Sequence, residues 1–152
     1  MLTENSDEPY AEQIARTIMR WRNKGTFIAT TTQLRECITE ALDFLPKGEK
    51  KEIIKKSCQR TFQAIRIDVN SEFEVLYSFL EKLPGILAPG GRAAILTFHS
   101  GEDRLVKRSF KELHREGVYS DVARDVIRPT PEECVKNPRS KSTKMRWAIK
   151  AE

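Results

Sequence analysis

Between Leu87 and Arg108 the chain reads Leu-Ala-Pro-Gly-Gly-Arg-Ala-Ala-Ile-Leu-Thr-Phe-His-Ser-Gly-Glu-Asp-Arg-Leu-Val-Lys-Arg, and this segment limits the fold more than any other. A Pro-Gly-Gly turn releases the chain into the apolar run Ala93 to Phe98. That run is too short for a free-standing helix and too continuous for a strand wetted on one face. The expectation is a buried parallel strand. Directly after it stand His99 and Ser100, and Ser100 with Asp103 has the spacing of a capping box opening an amphipathic helix along Val106, Phe110 and Leu113. Strand, polar turn and helix make half of a βαβ unit. Ligands of open α/β sheets bind at the carboxyl ends of strands, so His99, Ser100, Glu102 and Asp103 stand where a site would form.

The rest of the pattern is mostly helical. Pro9 suits a first helical turn, and Tyr10, Ile14 and Ile18 form a stripe ending near Asn23 to Gly25. Thr30 to Gln33 offers hydroxyl caps for a second helix along Leu34, Ile38, Ala41, Leu42 and Leu45, broken at Pro46-Lys47-Gly48. Two such short helices bury too little to stand alone and need a packing partner. A third begins near Glu49, with Ile53, Ile54, Cys58, Phe62, Ile65 and Ile67 inward and Lys50, Lys51, Lys55 and Lys56 on a solvated face. Ser71 and Glu74 are spaced as a capping box for a fourth, with Phe73, Leu76, Tyr77, Leu80 and Leu83 facing a core and Pro84-Gly85 as its stop. Val122 to Arg128 reads as a short strand and Thr130-Pro131-Glu132-Glu133 as a capped helix start. Met145, Trp147 and Ile149 alternate as the inward face of a last strand.

A central parallel strand needs neighbours on both sides, and this pattern supplies few. The expected fold class is therefore α/β: an incomplete Rossmann-like sheet, the second half of a larger domain. A small helical module is expected over residues 1–57 and the α/β part over residues 58–152.

The 32% charged and 39% hydrophobic fractions are those of a globular chain. Its longest apolar run is about six residues against the roughly 20 a bilayer needs, and Glu4, Asp7, Glu8 and Glu12 make its start acidic. Neither a membrane span nor a leader segment is expected. Cys37, Cys58 and Cys134 have neither disulfide nor zinc spacing, which fits a reducing compartment: the cytoplasm, or equally an organellar matrix or stroma. With His99 and His114 on separate elements, no metal site is expected. The net charge of +5 is unevenly spread. Val135 to Lys150 holds Lys136, Arg139, Lys141, Lys144, Arg146 and Lys150 and no acid, with Ser140, Ser142 and Thr143 interleaved, a composition suited to phosphate contact.

Arg60 to Glu72 reads Arg-Thr-Phe-Gln-Ala-Ile-Arg-Ile-Asp-Val-Asn-Ser-Glu. It is followed in order by Leu87-Ala-Pro-Gly-Gly-Arg, Phe98-His99-Ser100 with Glu102-Asp103-Arg104, Val106-Lys107-Arg108, Ile127-Arg128-Pro129 and Asn137-Pro138-Arg139-Ser140-Lys141-Ser142. These ordered blocks cover nearly the whole chain and closely resemble the signatures of the MraW methyltransferase family. The resemblance implies an S-adenosylmethionine-dependent enzyme that methylates the N4 amine of a cytosine in small-subunit ribosomal RNA. It implies that the helices from Pro9 to Pro46 belong to a helical insertion that helps form the RNA cleft. Gln63, Arg66 and Asn70 would line the cofactor and RNA cleft, while His99 and Ser100, with Glu102 and Asp103, would shape the cytosine pocket. Arg139, Lys141, Lys144 and Arg146 are the expected phosphate contacts on the RNA.

The cofactor motifs of that family are a glycine-rich loop with a Gly-Gly-His-Ser pattern, an acidic residue for the ribose and an Asp-Leu-Gly segment near the target amine. None has a counterpart here, and Gly90-Gly91 precedes the apolar run instead of following it. Gly101 takes the place of a bulky apolar residue and is expected to loosen the turn after His99. No cofactor-binding residue is therefore assigned, and no catalytic one. Three functional readings follow. The chain is the carboxy-terminal part of an rRNA methyltransferase, inactive in isolation; or a non-catalytic basic module that binds RNA or the ribosome; or a half-domain completed by a partner chain.

Overall fold

All 152 residues are described in a computed structural model, and they divide into two units, Met1–Asn70 and Ser71–Glu152. The first unit is helical: α1 (Leu2–Ser6), α2 (Ala11–Asn23), α3 (Thr31–Ala41) and α4 (Lys47–Val69). Helix α3 starts on a capping box, in which Thr30 Oγ1 accepts from the Gln33 N–H at 3.2 Å and Gln33 Oε1 accepts from the Thr30 N–H at 3.0 Å. Ile14, Leu34, Ile38, Ala41, Leu42 and Cys58 form the core, with Ile53, Ile54, Phe62 and Ile65 packed around it. Helix α2 packs on α3, and α3 packs in turn on α4, which α1 also lies against, so the short helices find the partners they need in one another and in α4. Glu40 joins α2 to α3 by accepting from Arg20 at 2.6 Å and Trp21 Nε1 at 2.8 Å.

Glu8 is 1% exposed and fixes the link before α2. Its Oε1 accepts from Ser57 Oγ at 2.9 Å and from the Tyr10 N–H at 3.0 Å, while Oε2 is buried without a hydrogen bond, 4.0 Å from Arg60 Nη1, so the bonds to Oε1 offset only part of the cost of burying the carboxylate. Burial pushes the Cys37 thiol up to about 11, the neighbouring Glu40 charge adding to it, and raises that of Cys58 as well. Both are packing groups and poor nucleophiles. The boundary expected at residue 57 falls at Ser57 and Cys58 in the middle of α4. One unbroken 23-residue helix carries the chain to the break at Asn70.

The second unit comprises α5 (Glu72–Ile86), β1 (Arg92–Thr97), α6 (Ser100–Arg115), β2 (Tyr119–Val122), α7 (Pro131–Lys136), a 3₁₀ turn (Pro138–Ser142) and β3 (Lys144–Lys150). The strands form one sheet in the order β1-β3-β2, with both pairings antiparallel. The α/β class stands, but β1 has no parallel neighbour here and lies at a sheet edge. Its burial alternates, with Ala93 and Thr97 buried and Arg92, Ala94 and Leu96 exposed. Leu80, Leu83, Ala93, Val106, Phe110, Tyr119 and Ala148 form the core on the covered side. Phe110 meets Tyr119 edge-on at 5.5 Å.

Local signals gave way to packing at several places. Ser71 adopts a left-handed conformation, φ 50°, and its side chain makes no cap bond, so the Ser71–Glu74 capping box does not form. Helix α5 continues through Pro84 to Ile86, because a proline in the last turn removes only one amide donor. The strand read over Val122 to Arg128 begins earlier, at Tyr119, and leaves only an isolated bridge from Ile127 to Met145. In β3 the inward face is the opposite one: Arg146 and Ala148 are buried, while Met145, Trp147 and Ile149 are only partly so. The Thr130 cap forms as read, its hydroxyl accepting from the Glu133 N–H at 3.2 Å.

The other side of the sheet is open along its β1 edge. Cross-strand partners share a face, so Ala94 with Trp147 and Leu96 with Met145 build an apolar surface on which Leu96 is 57% exposed. On α5, Val75 and Ile86 are exposed at 65% and 72% although Leu80 and Leu83 are buried, which makes the helix apolar on both sides. No helix is long and apolar enough to cross a membrane.

Candidate functional site

The carboxyl end of β1 passes directly into α6. Here the cap sits one residue earlier than the Ser100–Asp103 spacing suggested. His99 is the N-cap, and its Nδ1 accepts from the Glu102 N–H at 3.4 Å, while Glu102 Oε2 accepts from the Phe98 N–H at 2.9 Å. The imidazole takes the place of the hydroxyl as the N-cap acceptor, Glu102 reaches back to the residue before the cap, and Ser100 becomes an exposed first helical residue. The His99 side chain beside it lowers the Glu102 carboxyl below its ordinary value against the opposing effect of burial, and the Phe98 amide adds to the lowering. A carboxylate in the first turn also meets the positive end of the helix dipole.

One polar atom each of Glu72, His99 and Glu102 lies within 4.8 Å of the others. His99 Nε2 is buried with no hydrogen-bond partner at full bonding geometry, and Glu102 Oε1 lies 3.4 Å from it. Because Nδ1 accepts the cap bond, the proton of a neutral ring resides on Nε2. A protonated Nε2 directed at carboxylates is a donor in this tautomer. Phe73 packs on the same imidazole with ring centroids 5.9 Å apart. A Cβ on Gly101 would come within 2.6 Å of Phe73 Cζ and 3.2 Å of His99 Cε1. The missing side chain therefore does not loosen the turn, since Phe73 fills the space.

Asp103 faces away from this cluster. Its two oxygens accept from Arg146 Nε at 2.8 Å and Nη2 at 3.2 Å, with Lys144 Nζ 3.7 Å away. Burial works against its ionisation, but Arg146, then Lys144 and Lys107, hold the carboxyl below its usual value. The Arg146 side chain is 8% exposed, so it is an internal tie and is withdrawn from the phosphate contacts. Lys144, with its side chain 17% exposed, leans on the same carboxylate. Of the four cations, Arg139 and Lys141 alone are exposed, on the 3₁₀ turn, where Ser140 is buried and donates to the Asn137 carbonyl at 2.8 Å.

Gln63, Arg66 and Asn70 belong to the first unit. Their spacing puts them on one face of the last turns of α4, with Gln63 half-buried and the other two exposed. Asn70 ends the helix, its N–H donating to the Arg66 carbonyl at 3.1 Å. Glu72 and Phe73 complete the His99 cluster. In the sequence Phe73 has a core-facing place and Glu72 no role beyond its motif, and only the fold brings them to an imidazole 26 or 27 positions on.

An S-adenosylmethionine site on a sheet of this kind needs a glycine turn after a strand, open to the ligand, and a carboxylate available to ribose hydroxyls. After β1 the space at Gly101 is taken by Phe73, Glu102 is held by Phe98 and His99, and Asp103 by Arg146. Gly91 lies before the strand, where a Cβ would sit 2.7 Å from the Ala88 carbonyl oxygen. The residues present do not fit that cofactor.

The fold and these motifs define a partial α/β unit of methyltransferase type. The MraW methylase family matches residues 1–151, and the chain belongs to that family. It is 67% identical over 151 residues to ribosomal RNA small subunit methyltransferase H 1 of Lachnoclostridium phytofermentans, a match covering 99% of this chain and 41% of that protein. A protein of the same name from Agathobacter rectalis is 64% identical over 152 residues, with 44% of its length covered. Ribosomal RNA small subunit methyltransferase H 2 of Alkaliphilus metalliredigens is 61% identical over 151 residues, with 43% covered. The chain spans about two-fifths of the length of these curated relatives.

Proposed function

We propose that this chain supplies the late strands and part of the helical insertion of an S-adenosylmethionine-dependent rRNA cytosine-N4 methyltransferase, and that residues outside these 152 supply the cofactor half. The observation that carries this reading is the unfinished layer of the second unit: an edge strand with an apolar outer face and a helix apolar on both sides. Such surfaces are covered in a complete α/β domain. In this reading His99, Glu102 and Ser100 wall the cytosine pocket at the end of β1, with the Nε2–H as a fixed donor. Gln63, Arg66 and Asn70 line the cleft, and Arg139 and Lys141 hold RNA phosphates. The partner is small-subunit rRNA and the compartment the cytoplasm, where the relatives' named substrate is made.

Calorimetric titration with S-adenosylmethionine tests the missing cofactor half. No saturable binding is expected up to millimolar ligand, and low-micromolar binding by the chain alone would overturn the proposal.

A further inference from the structure

Lys47, Lys51 and Lys55 recur every four residues along α4 and therefore lie on one helix face, with Ile54 and Phe62 beside that row. Opposite them on α3 stands Arg35. These residues line an open groove of about 1020 Å³ within the first unit. The structure sorts the lysines that the sequence placed together on a solvated face. Lys50 is engaged by Asp43, bonding its Oδ1 at 2.5 Å and its carbonyl oxygen at 2.9 Å. Glu52, the one acid on the wall, lies 4.0 Å from Lys56. Arg35, Lys47, Lys51 and Lys55 have no carboxylate within ion-pair distance. Like charges four residues apart destabilise a helix, so four uncompensated cations around one groove form a surface that an anion would relieve.

We propose that this groove binds a single-stranded RNA segment, a second contact on the substrate beyond the pocket and the Arg139–Lys141 turn. The inference rests on the rRNA reading above. Cations four residues apart are spaced about 6 Å along the helix axis, a pitch that a phosphodiester chain can follow. Phosphates run along Lys47, Lys51, Lys55 and Arg35. A base lies on the floor of Ile54 and Phe62, both half-buried and open to the groove. Stacking on an aromatic floor with a cationic rim holds single strands without sequence readout. An acidic polypeptide would satisfy the rim but leave the aromatic floor unused, which favours RNA.

The test is fluorescence anisotropy on the full chain with a labelled single-stranded RNA of about 12 nucleotides, within the site sizes such surfaces occupy, across a salt series. Lys51→Glu with Lys55→Glu is expected to weaken binding at least tenfold and to lower the salt slope by about two. Lys82→Glu with Lys111→Glu, exposed on α5 and α6 and equal in charge change, should cost no more than about twofold. Phe62→Leu keeps the packing and removes the ring, and should weaken binding about threefold at an unchanged salt slope. Circular dichroism melts check that each variant is folded.

Equal losses from the groove pair and the control pair would overturn the proposal. So would competition by poly-L-glutamate as strong as that by RNA, or no RNA binding by the unaltered chain. If Arg139→Ala with Lys141→Ala abolishes binding while the groove pair does not, the groove fails and the methyltransferase reading stands.

Discussion

At the scale of single residues, the end of β1 is built by exchange of roles. An imidazole caps α6 where a hydroxyl was expected, and Glu102 answers it from the third helical position. Gly101 and Phe73 are complementary, one lacking the volume the other supplies. Gly101→Leu is expected to destabilise the chain by about 1–3 kcal/mol through overpacking, and adding Phe73→Ala should recover much of that loss. Urea melts of the single and double variants measure it, and a single variant as stable as the parent would contradict the packing. That His99 and its neighbours form a polar turn was legible in the sequence, because an apolar run stopping at polar residues has few other outcomes. Which of them caps was not, since Ser100 and His99 both offer an acceptor and only the path of the chain chooses between them.

At the scale of elements, the tie between α6 and β3 decides how the sheet is held. Reading β3 by its apolar alternation placed Met145, Trp147 and Ile149 inward. The strand turned the other way because Asp103 offers Arg146 a paired, hydrogen-bonded place on the covered face, and an ion pair with most of its bonds made can be buried where a lone guanidinium cannot. The same tie buries Arg146, which composition could not disclose.

The lowered Asp103 carboxyl gives this tie a pH dependence. Its stabilising effect is present above the ordinary value of 3.8 and is lost as pH falls through the lower folded value, and the lowered Glu102, from 4.5, adds in the same sense. Asp103→Asn should cost about 3 kcal/mol at neutral pH, since it leaves a buried guanidinium without its charge partner. It should also flatten the decline in stability below pH 4, as followed by urea denaturation at several pH values. An unchanged acid limb would show that the pair contributes little.

At the scale of the whole molecule, the helices and the α/β character could be read from stripe spacing, caps and the Pro-Gly-Gly turn, and so could the shortage of strands. The direction of β1 could not. A continuous apolar run signals burial on both faces, whereas this chain covers only one, and its sole partner strand runs antiparallel. The run Ala93 to Phe98 thus carries a pattern suited to more structure than these residues supply, and so do Val75 and Ile86 on α5. The division at Asn70 was hidden for a related reason, since α4 crosses the motif boundary as one helix.

The central claim is that the chain is the later part of a methyltransferase whose cofactor half lies elsewhere. It is tested most directly by co-expressing these 152 residues with the unmatched remainder of the Lachnoclostridium phytofermentans relative and measuring methyl transfer from S-adenosylmethionine to undermethylated small ribosomal subunits. Transfer to cytosine by the pair, with none by either piece alone, is the expected result. Turnover by the chain alone, or a pair that associates and stays inactive with intact subunits, would contradict it.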